Sequence, residues 1–312
     1  MKLISIVIPA HNEEKNIPLL YEELRKVLNM LQNYAFEIIF VNDGSRDKSI
    51  EEIRKLSEAD QDVKYIDFSR NFGKEIATTA GINNCQGDAC IMLDADLQHP
   101  PATIPEFLAK WEKGAEVVVG VRKKNHRNSL IKSAGSWFYY KIINKISETS
   151  IAPDATDFRL LDRIVIDEFN KFSERNRMTR ALIAWLGFRR EYILFDSPAR
   201  AHGKAAYSTT KLIKLALSSF VAMSLLPLKL AGYLGIVVTV VSGSLGLFIF
   251  FDKYIWKDPF GFSFSGPASL AILNIFFSGI VLSCLGLIAL YIGNIHGEVI
   301  GRPMYVVRKK KL

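Results

Sequence analysis

The C-terminal third of the sequence contains two long runs without a charged residue. The first covers residues 230–251 and the second covers residues 259–295, which also lack histidine. Because a helix rises about 1.5 Å per residue, the first run makes a helix of about 33 Å, enough to cross a hydrocarbon core of about 30 Å. We therefore predict two transmembrane helices, at about 229–251 and 268–292, which form a hairpin over 229–292. The alternative, two buried core helices, is disfavoured because core helices rarely run so long without a charge.

Basic residues flank this hairpin on both sides. The loop between the runs is balanced in charge, whereas the segments before the first run and after the second are rich in Lys and Arg. Because Lys and Arg stay on the cytoplasmic side, we predict a multi-pass protein of the cell inner membrane with its N-terminal domain and both termini in the cytoplasm. Residues 293–312 form the predicted basic cytoplasmic tail. Residues 208–228, with Lys211 and Lys214 among apolar residues, form a predicted amphipathic interfacial helix, with a packed domain helix as the alternative.

The net charge of +8 therefore has an explanation at the membrane. Basic residues beside a span indicate topology and contact with anionic lipids, so we predict no nucleic-acid partner. Small residues at 243–246 and 279–286 suit close helix packing, which leaves a homo-oligomer as an open alternative.

The first two hundred residues or so alternate short apolar runs with amphipathic stretches. Runs of strand length, rich in Ile and Val, cover 3–8, 36–41, 63–68, 89–93 and 116–120. Strands alternating with helices predict an α/β fold over residues 1–207, with a mostly parallel, Rossmann-like sheet covered by helices on both faces. Such sheets bind ligands at the carboxyl ends of their strands, so the residues just after each strand are candidates for chemistry.

Carboxylates follow two of these predicted strands. Asp43 follows the second, where a turn or helix cap is the alternative to a functional role, and Asp94 and Asp96 follow the fourth. Two carboxylates one residue apart repel each other unless a cation lies between them, and their oxygens suit Mg²⁺ or Mn²⁺ completed by substrate phosphates. No GxGxxG pattern follows the first strand, which argues against an NAD or FAD enzyme.

Five motifs occur in order along the chain: VIPAHNEE at 7–14, VNDGS at 41–45, DADLQHPP at 94–101, TDFRLLD at 156–162 and an Arg-x-x-Gly element at 200–203. Together they resemble the family-2 glycosyltransferases of the GT-A fold. The two predicted spans narrow the resemblance to the polyprenyl-phosphate glycosyltransferases, the group of the dolichol-phosphate mannose synthases and bactoprenol glucosyltransferases. The resemblance covers nearly the whole chain.

The resemblance implies a donor site and a metal site. Asp96 and Gln98 are the implied direct ligands of Mg²⁺ or Mn²⁺, and Asp94, also counted with the metal ligands, lies nearer the ribose and sugar. The other residues implied to bind the donor nucleotide sugar in these strand-end loops are Pro9, His11, Glu13, Val41, Asp43 and Ala95.

The resemblance also implies cations for the phosphates. Arg122 is implied to bind phosphate of the donor and the acceptor, with Arg127 and Lys132 on the acceptor phosphate, although a solvated charge run is the alternative for the lysines. Arg200 and Lys204 are implied on the donor side. The family commonly has a Lys where this chain has Ala206, and Lys204 is the candidate substitute.

Asp157 is implied to be the acid on the acceptor side. It would act as general base if the acceptor were a hydroxyl. A lipid phosphate is already mostly anionic at neutral pH, so orienting the sugar or holding the loop are alternative roles for this residue.

The predicted function is that of a metal-dependent glycosyltransferase of the cell envelope, with Asp94, Asp96 and Asp157 as catalytic residues. It would move one hexose, with inversion, from a UDP-glucose or GDP-mannose type of donor to an undecaprenyl or dolichyl phosphate at the cytoplasmic membrane face. A processive polysaccharide synthase is one alternative, disfavoured because the chain lacks a QxxRW motif and has few predicted spans. A non-catalytic membrane protein that binds a lipid or a partner is the other, and the strand-end carboxylates speak against it.

Overall fold

A computed structural model of the protein describes residues 1–123, 155–175, 177–196, 198 and 266–312, together with isolated residues between 233 and 255. The chain divides into two compact units, Met1–Ala206 with Arg302–Leu312, and Tyr207–Gly301.

The first unit is built on one sheet. Its strands are β1 (Lys2–Ala10), β2 (Tyr34–Asn42), β3 (Val63–Phe68), β4 (Ala89–Met92), β5 (Val117–Arg122), β6 (Ala155–Asp162), β7 (Arg190–Phe195) and β8 (Val307–Lys311). Their order is β7-β5-β6-β4-β1-β2-β3-β8. The strands β4, β1, β2 and β3 are parallel neighbours, and so are β5 and β7, whereas β6 and β8 run antiparallel. The predicted α/β fold with a mostly parallel sheet is confirmed.

Helices cover both faces of this sheet. They are α1 (Asn16–Leu28), α2 (Ser49–Ala59), α3 (Lys74–Asn84), α4 (Ile104–Glu112), α5 (Arg163–Phe169) and α6 (Thr179–Trp185). Ile6 on β1 packs in the same hydrophobic cluster as residues of α1 and α4, whereas the next residue, Val7, packs in the same cluster as residues of α3 and α5. Successive side chains of a strand point to opposite faces, so continuous runs of Ile and Val are what a sheet covered on both sides requires.

The described part of the second unit is mainly a long apolar helix, α7 (Gly266–Val299), of 34 residues. Its segment Phe277–Val299 has a mean hydropathy of 1.9 and is the one helix in the described residues long and apolar enough to cross a membrane. Leu282 and Leu285 are 67% and 54% exposed. Apolar side chains on the outside of a helix are unfavourable in water and favourable in lipid. The helix contains the predicted span at 268–292 and continues past its C-terminal end.

Two predicted membrane elements fall elsewhere. The interfacial helix at 208–228 lies outside the described residues, and so does the span at 229–251 apart from isolated positions.

The basic tail has a structure that the sequence pattern did not indicate. Residues 293–299 still belong to α7, and Val307–Lys311 form β8, which pairs with β3 at the edge of the sheet. Charged residues have low strand propensity, but lysines are common on edge strands because their charge prevents further pairing. The C-terminal end of the chain is therefore part of the first unit.

Candidate active site

A lysine joins two of the predicted catalytic carboxylates. The Lys74 Nζ lies 2.7 Å from Asp94 Oδ1 and 2.8 Å from Asp157 Oδ2. Arg180 adds a second cation, with its Nη2 3.2 Å from Asp157 Oδ1. Asp94 follows β4, Asp157 lies near the start of β6, Lys74 begins α3 and Arg180 lies in α6, so four elements build this cluster of alternating charges.

The charge of Asp157 is fixed by these neighbours. Burial by itself raises the pKa of its carboxyl, but the charges of Lys74 and Arg180 outweigh burial and hold the pKa well below its usual range. The same pairing acts on Lys74, since burial lowers its pKa but Asp94 and Asp157 raise it more. At neutral pH Asp157 is an anion and Lys74 a cation. A carboxylate with so low a pKa is a weak proton acceptor and a strong anchor for cations.

Asp43 positions the start of α3, and thereby Lys74. Its side chain is buried, and its Oδ1 and Oδ2 accept hydrogen bonds from the backbone N–H of Phe72, at 2.6 Å, and of Gly73, at 2.9 Å. Gly73 has φ +100°, a conformation that L side chains rarely adopt. The carboxylate after β2 therefore holds the loop that turns the chain into α3.

The loop after β4 is held by its own side chains. The backbone N–H of Asp94 donates to His99 Nδ1 at 3.0 Å, and the N–H of Gln98 donates to Asp96 Oδ1 at 3.1 Å. His99 is 1% exposed and its ring stacks on Phe158. Burial lowers the pKa of His99, and an Nδ1 that accepts a hydrogen bond requires the neutral ring. His99 thus holds the loop at 94–98, called the DADLQ loop below, in its conformation without adding charge.

Arg122 reaches the same loop from the end of β5. Its Nη2 donates to Gln98 Oε1 at 3.1 Å. The predicted phosphate-binding arginine and a predicted metal ligand are therefore neighbours. A site for a metal-bound diphosphate needs such an arrangement, because the metal and the arginine would contact the same phosphates.

The chemistry of these donors fits a hard divalent cation. Asp94, Asp96 and Gln98 supply two carboxylates and one amide oxygen within five residues. Within the described ranges no group of three or more His, Cys, Asp or Glu side chains is arranged as a complete metal site. A small ligand set suits Mg²⁺ or Mn²⁺ that completes its coordination with substrate phosphates.

Other predicted residues lie around a second feature, a cleft of about 440 Å³. His11 lines it, and its Nδ1 lies 2.7 Å from the backbone oxygen of Asp43. Glu13 lies nearby in sequence and accepts a hydrogen bond from the Asn16 side chain. Pro9, Val41 and Ala95 are buried, so any contact of theirs with a donor would come from the backbone.

Four predicted cations, Arg127, Lys132, Arg200 and Lys204, lie outside the described residues. The residues that the sequence analysis missed are Lys74 and Arg180. Neither belongs to one of the five motifs, and the partner Asp157 lies 83 residues from Lys74 along the chain. One sequence signal could have indicated Lys74: it follows Gly73 at the start of a predicted helix, just after a predicted strand.

Comparison with known proteins gives one family. The model described as glycosyl transferase family 2 matches residues 5–169. The uncharacterised glycosyltransferase YkcC of Bacillus subtilis is 41% identical over 98% of this chain and 93% of its own length. The bactoprenol glucosyl transferase of Shigella phage SfII is 35% identical over 98% of this chain and 97% of its own.

A further relative is the prophage bactoprenol glucosyl transferase homolog of Escherichia coli, 34% identical over 99% of both chains. Among solved structures, glucosyl-3-phosphoglycerate synthase from Mycobacterium tuberculosis is 14% identical with a TM-score of 0.49, covering 72% of this chain and 80% of that one.

Proposed function

We propose that this chain, which belongs to glycosyltransferase family 2, transfers a single hexose from a nucleotide sugar to a polyprenyl phosphate at the cytoplasmic face of a membrane. Two relatives at 34% and 35% identity over nearly the full chain are named as a bactoprenol glucosyl transferase and its homolog. The structural observation that carries the proposal is the cluster in which Lys74 and Arg180 surround Asp157 beside the DADLQ loop.

The donor end of the proposed reaction lies at the loop after β4. Asp94, Asp96 and Gln98 would hold Mg²⁺ or Mn²⁺, which when bound supplies positive charge to the leaving diphosphate. Arg122, already in contact with Gln98, adds a second positive charge at the same place. Stabilising charge that develops on the leaving group is commonly the largest contribution of an enzyme to such a transfer.

The acceptor end of the proposed reaction uses Lys74 and Arg180. A phosphate monoester, with a second pKa of about 6, is largely a dianion at neutral pH and needs no strong base. Its oxygen forms a bond to the anomeric carbon while the bond from that carbon to the diphosphate oxygen breaks, so the electron pair leaves with the diphosphate and the configuration inverts. Asp157, anionic and flanked by two cations, suits the role of holding those cations toward the phosphate rather than of removing a proton.

The membrane part of the proposal is a hairpin with both termini in the cytoplasm. Because β8 pairs with β3, the residues after α7 would lie on the same side of a membrane as the proposed catalytic domain. One span in α7 alone would put them on opposite sides. If α7 crosses a membrane, a second crossing before residue 266 would return the chain to the first side, and the charge-free run at 229–251 is our candidate for it.

The experiment is a transfer assay with purified full-length protein, undecaprenyl phosphate, Mg²⁺ or Mn²⁺ and a panel of radiolabelled nucleotide sugars. We expect one donor to give a labelled, acid-labile lipid carrying one sugar. Asp96→Asn should abolish the label, while Asp167→Asn, at a carboxylate 59% exposed on α5, should not. No labelled lipid with any donor, or a growing polymer, would contradict the proposal.

A further inference from the structure

The edge strand β8 carries a bulge at Arg308. Val307 lies opposite Phe68 and Lys309 lies opposite Asp67, so two neighbouring residues of β3 face three residues of β8. Arg308 is the extra residue and has no partner in the ladder. A bulge in an edge strand turns the side chain of the extra residue away from the regular alternation, and bulges are frequent beside binding sites.

The bulge brings Arg308 to the cleft of about 440 Å³ that contains His11. The Nη2 of Arg308 donates to the backbone oxygen of Ser69 at 2.9 Å, which anchors the guanidinium at the end of β3. The other walls of the cleft are the loops after β1, β2 and β3. The residues lining it are His11, Asn12, Asn42, Gly44, Ser45, Arg46, Ile50, Asp67, Phe68, Ser69, Arg70, Asn71 and Arg308.

The chemistry of this cleft suits a nucleotide. It combines three arginines, at 46, 70 and 308, with the side-chain amides of Asn12 and Asn71. A guanidinium has five N–H groups, so one bond to Ser69 leaves donors for carbonyl oxygens of a base or for phosphate oxygens. The cleft also lies at the carboxyl ends of parallel strands, where sheets of this kind bind ligands.

We propose that the C-terminal strand forms one wall of the donor pocket and that Arg308 binds the nucleoside diphosphate part of the donor. This inference rests on the proposed function, because it assumes that the donor is a nucleotide sugar. It assigns β8 a part in substrate recognition, where charge and position alone would assign the tail to topology and lipid contact. Only seven residues separate the end of α7 from β8, so the segment that leaves the apolar helix supplies the contact to the donor.

The test uses the full-length protein in a neutral detergent without anionic lipid, so that any role of the tail in lipid binding is absent. The variants are Arg308→Ala, Arg308→Lys and, as the matched control, Lys310→Ala. Lys310 is an exposed cation of the same strand, opposite Ile66 and not part of the cleft lining. The probes are UDP and GDP with Mn²⁺, with the dissociation constant measured by calorimetry.

We expect Arg308→Ala to weaken binding of the diphosphate that the wild type prefers by about ten-fold or more, the effect of one lost charge-assisted hydrogen bond. Arg308→Lys keeps the charge but not the forked geometry, so its dissociation constant should lie between those of the wild type and Arg308→Ala. The dissociation constant of Lys310→Ala should stay within about two-fold of the wild-type value. In the transfer assay the KM for the donor should rise with little change in kcat.

Equal binding by Arg308→Ala and wild type would overturn the inference, and so would an equal loss in Lys310→Ala, which would point to general charge. The thermal unfolding midpoint of each variant without nucleotide separates lost binding from lost folding; if Arg308→Ala is unfolded, Arg308→Lys decides. If the wild type binds UDP or GDP and transfers sugar, and the Arg308 variants bind the nucleotide as tightly as the wild type does, only this inference is refuted. A wild type that binds neither and transfers nothing refutes the proposed function and this inference with it.

Discussion

Lys74 links the proposed donor side and the proposed acceptor side of the candidate active site. It contacts Asp94 of the DADLQ loop and Asp157 of β6, and its position depends on Asp43, whose carboxylate accepts the backbone N–H of Phe72 and Gly73. The resemblance assigns Asp43 to the nucleoside, and that role stays a prediction. The structure adds a second role for the same carboxylate, that of a support for the lysine.

The first prediction concerns Lys74→Gln. The substitution keeps a polar side chain of similar length but removes the cation between two carboxylates, so we expect transfer to fall by about 100-fold, as for other preorganised charges in active sites. Lys55→Gln, at a lysine 69% exposed on α2, is the matched control and should transfer at the wild-type rate. The measurement is kcat/KM for the lipid acceptor. A kcat/KM of Lys74→Gln within two-fold of the wild-type value would mean that Lys74 takes no part in the transfer.

The second prediction concerns the pH dependence of stability at Asp157. An unfolded Asp has a pKa of about 3.9, and the pKa of Asp157 in the folded protein is lower, so its ion pairs stabilise the protein above about pH 4. That contribution is lost as the pH falls through the folded pKa. We expect the loss of thermal stability in Asp157→Asn to be largest near neutral pH and to shrink in acid.

Thermal unfolding midpoints of wild type and Asp157→Asn, measured in detergent from about pH 3 to 8, give this comparison. Asp167→Asn serves as the control, since that carboxylate is 59% exposed and should change little at any pH. A difference between wild type and Asp157→Asn that is the same at every pH would mean that the substitution acts through packing and not through charge.

At the scale of elements, α3 is the helix that connects core packing to the site. It begins at Lys74 and packs on β1, and residues 77–82 are all buried. At Gly81 the helix comes so close that an added Cβ would lie 2.2 Å from Val7 Cγ1. The absence of a side chain at this position is therefore what permits the approach that brings Lys74 to the carboxyl end of the sheet.

The third prediction is a cycle of Gly81→Ala, Val7→Ala and the double variant. In an ordinary helix interior Gly→Ala stabilises by roughly 0.5–1 kcal/mol, but here we expect overpacking to destabilise by about 1–3 kcal/mol. The double variant should recover part of that loss, because Val7→Ala makes room for the new methyl group. The measurement is the free energy of unfolding in denaturant. Strict additivity of the two single changes would show that a methyl group at position 81 does not clash with Val7.

At the scale of the whole molecule, the chain leaves its N-terminal unit and returns to it. Residues up to Ala206 and from Arg302 onward form one unit, and the exposed apolar helix α7 lies in the segment between. The pairing of β8 with β3 makes the return part of the fold, so in the proposed membrane arrangement both strands would lie on one side. The basic residues of the tail predict a cytoplasmic location, and that location stays a prediction.

The fourth prediction follows from this arrangement. A reporter fused after Leu312 should show a cytoplasmic location, and the same reporter inserted near residue 258, between the two predicted spans, should show the opposite side. Fluorescent-protein and alkaline-phosphatase fusions read the two sides independently. The same location for both insertions would rule out a hairpin and leave α7 without a second span.

Local patterns in the sequence were sufficient for much of the fold. The mostly apolar runs at 3–8, 36–41 and 63–68 lie within or coincide with β1, β2 and β3, because a strand buried on both faces is apolar at most of its positions. The prediction that Asp94 and Asp96 follow a strand is likewise correct, since both come after β4, at the carboxyl end of the sheet. β6 lay in the TDFRLLD motif but was not predicted as a strand, and β8 is too charged to be recognised by pattern.

The sequence by itself determined what each short segment can be: an alternation of strands and helices, an apolar helix near the C-terminus, and two carboxylates after β4. These properties depend on neighbours within a few residues, which a reader of the chain can see. Only the tertiary structure decided that Lys74 meets Asp157 across 83 residues and that Arg308 meets Ser69 across 239. Those contacts exist because the sheet brings distant strand ends together, and their energies come from burial and charge pairing that no local pattern contains.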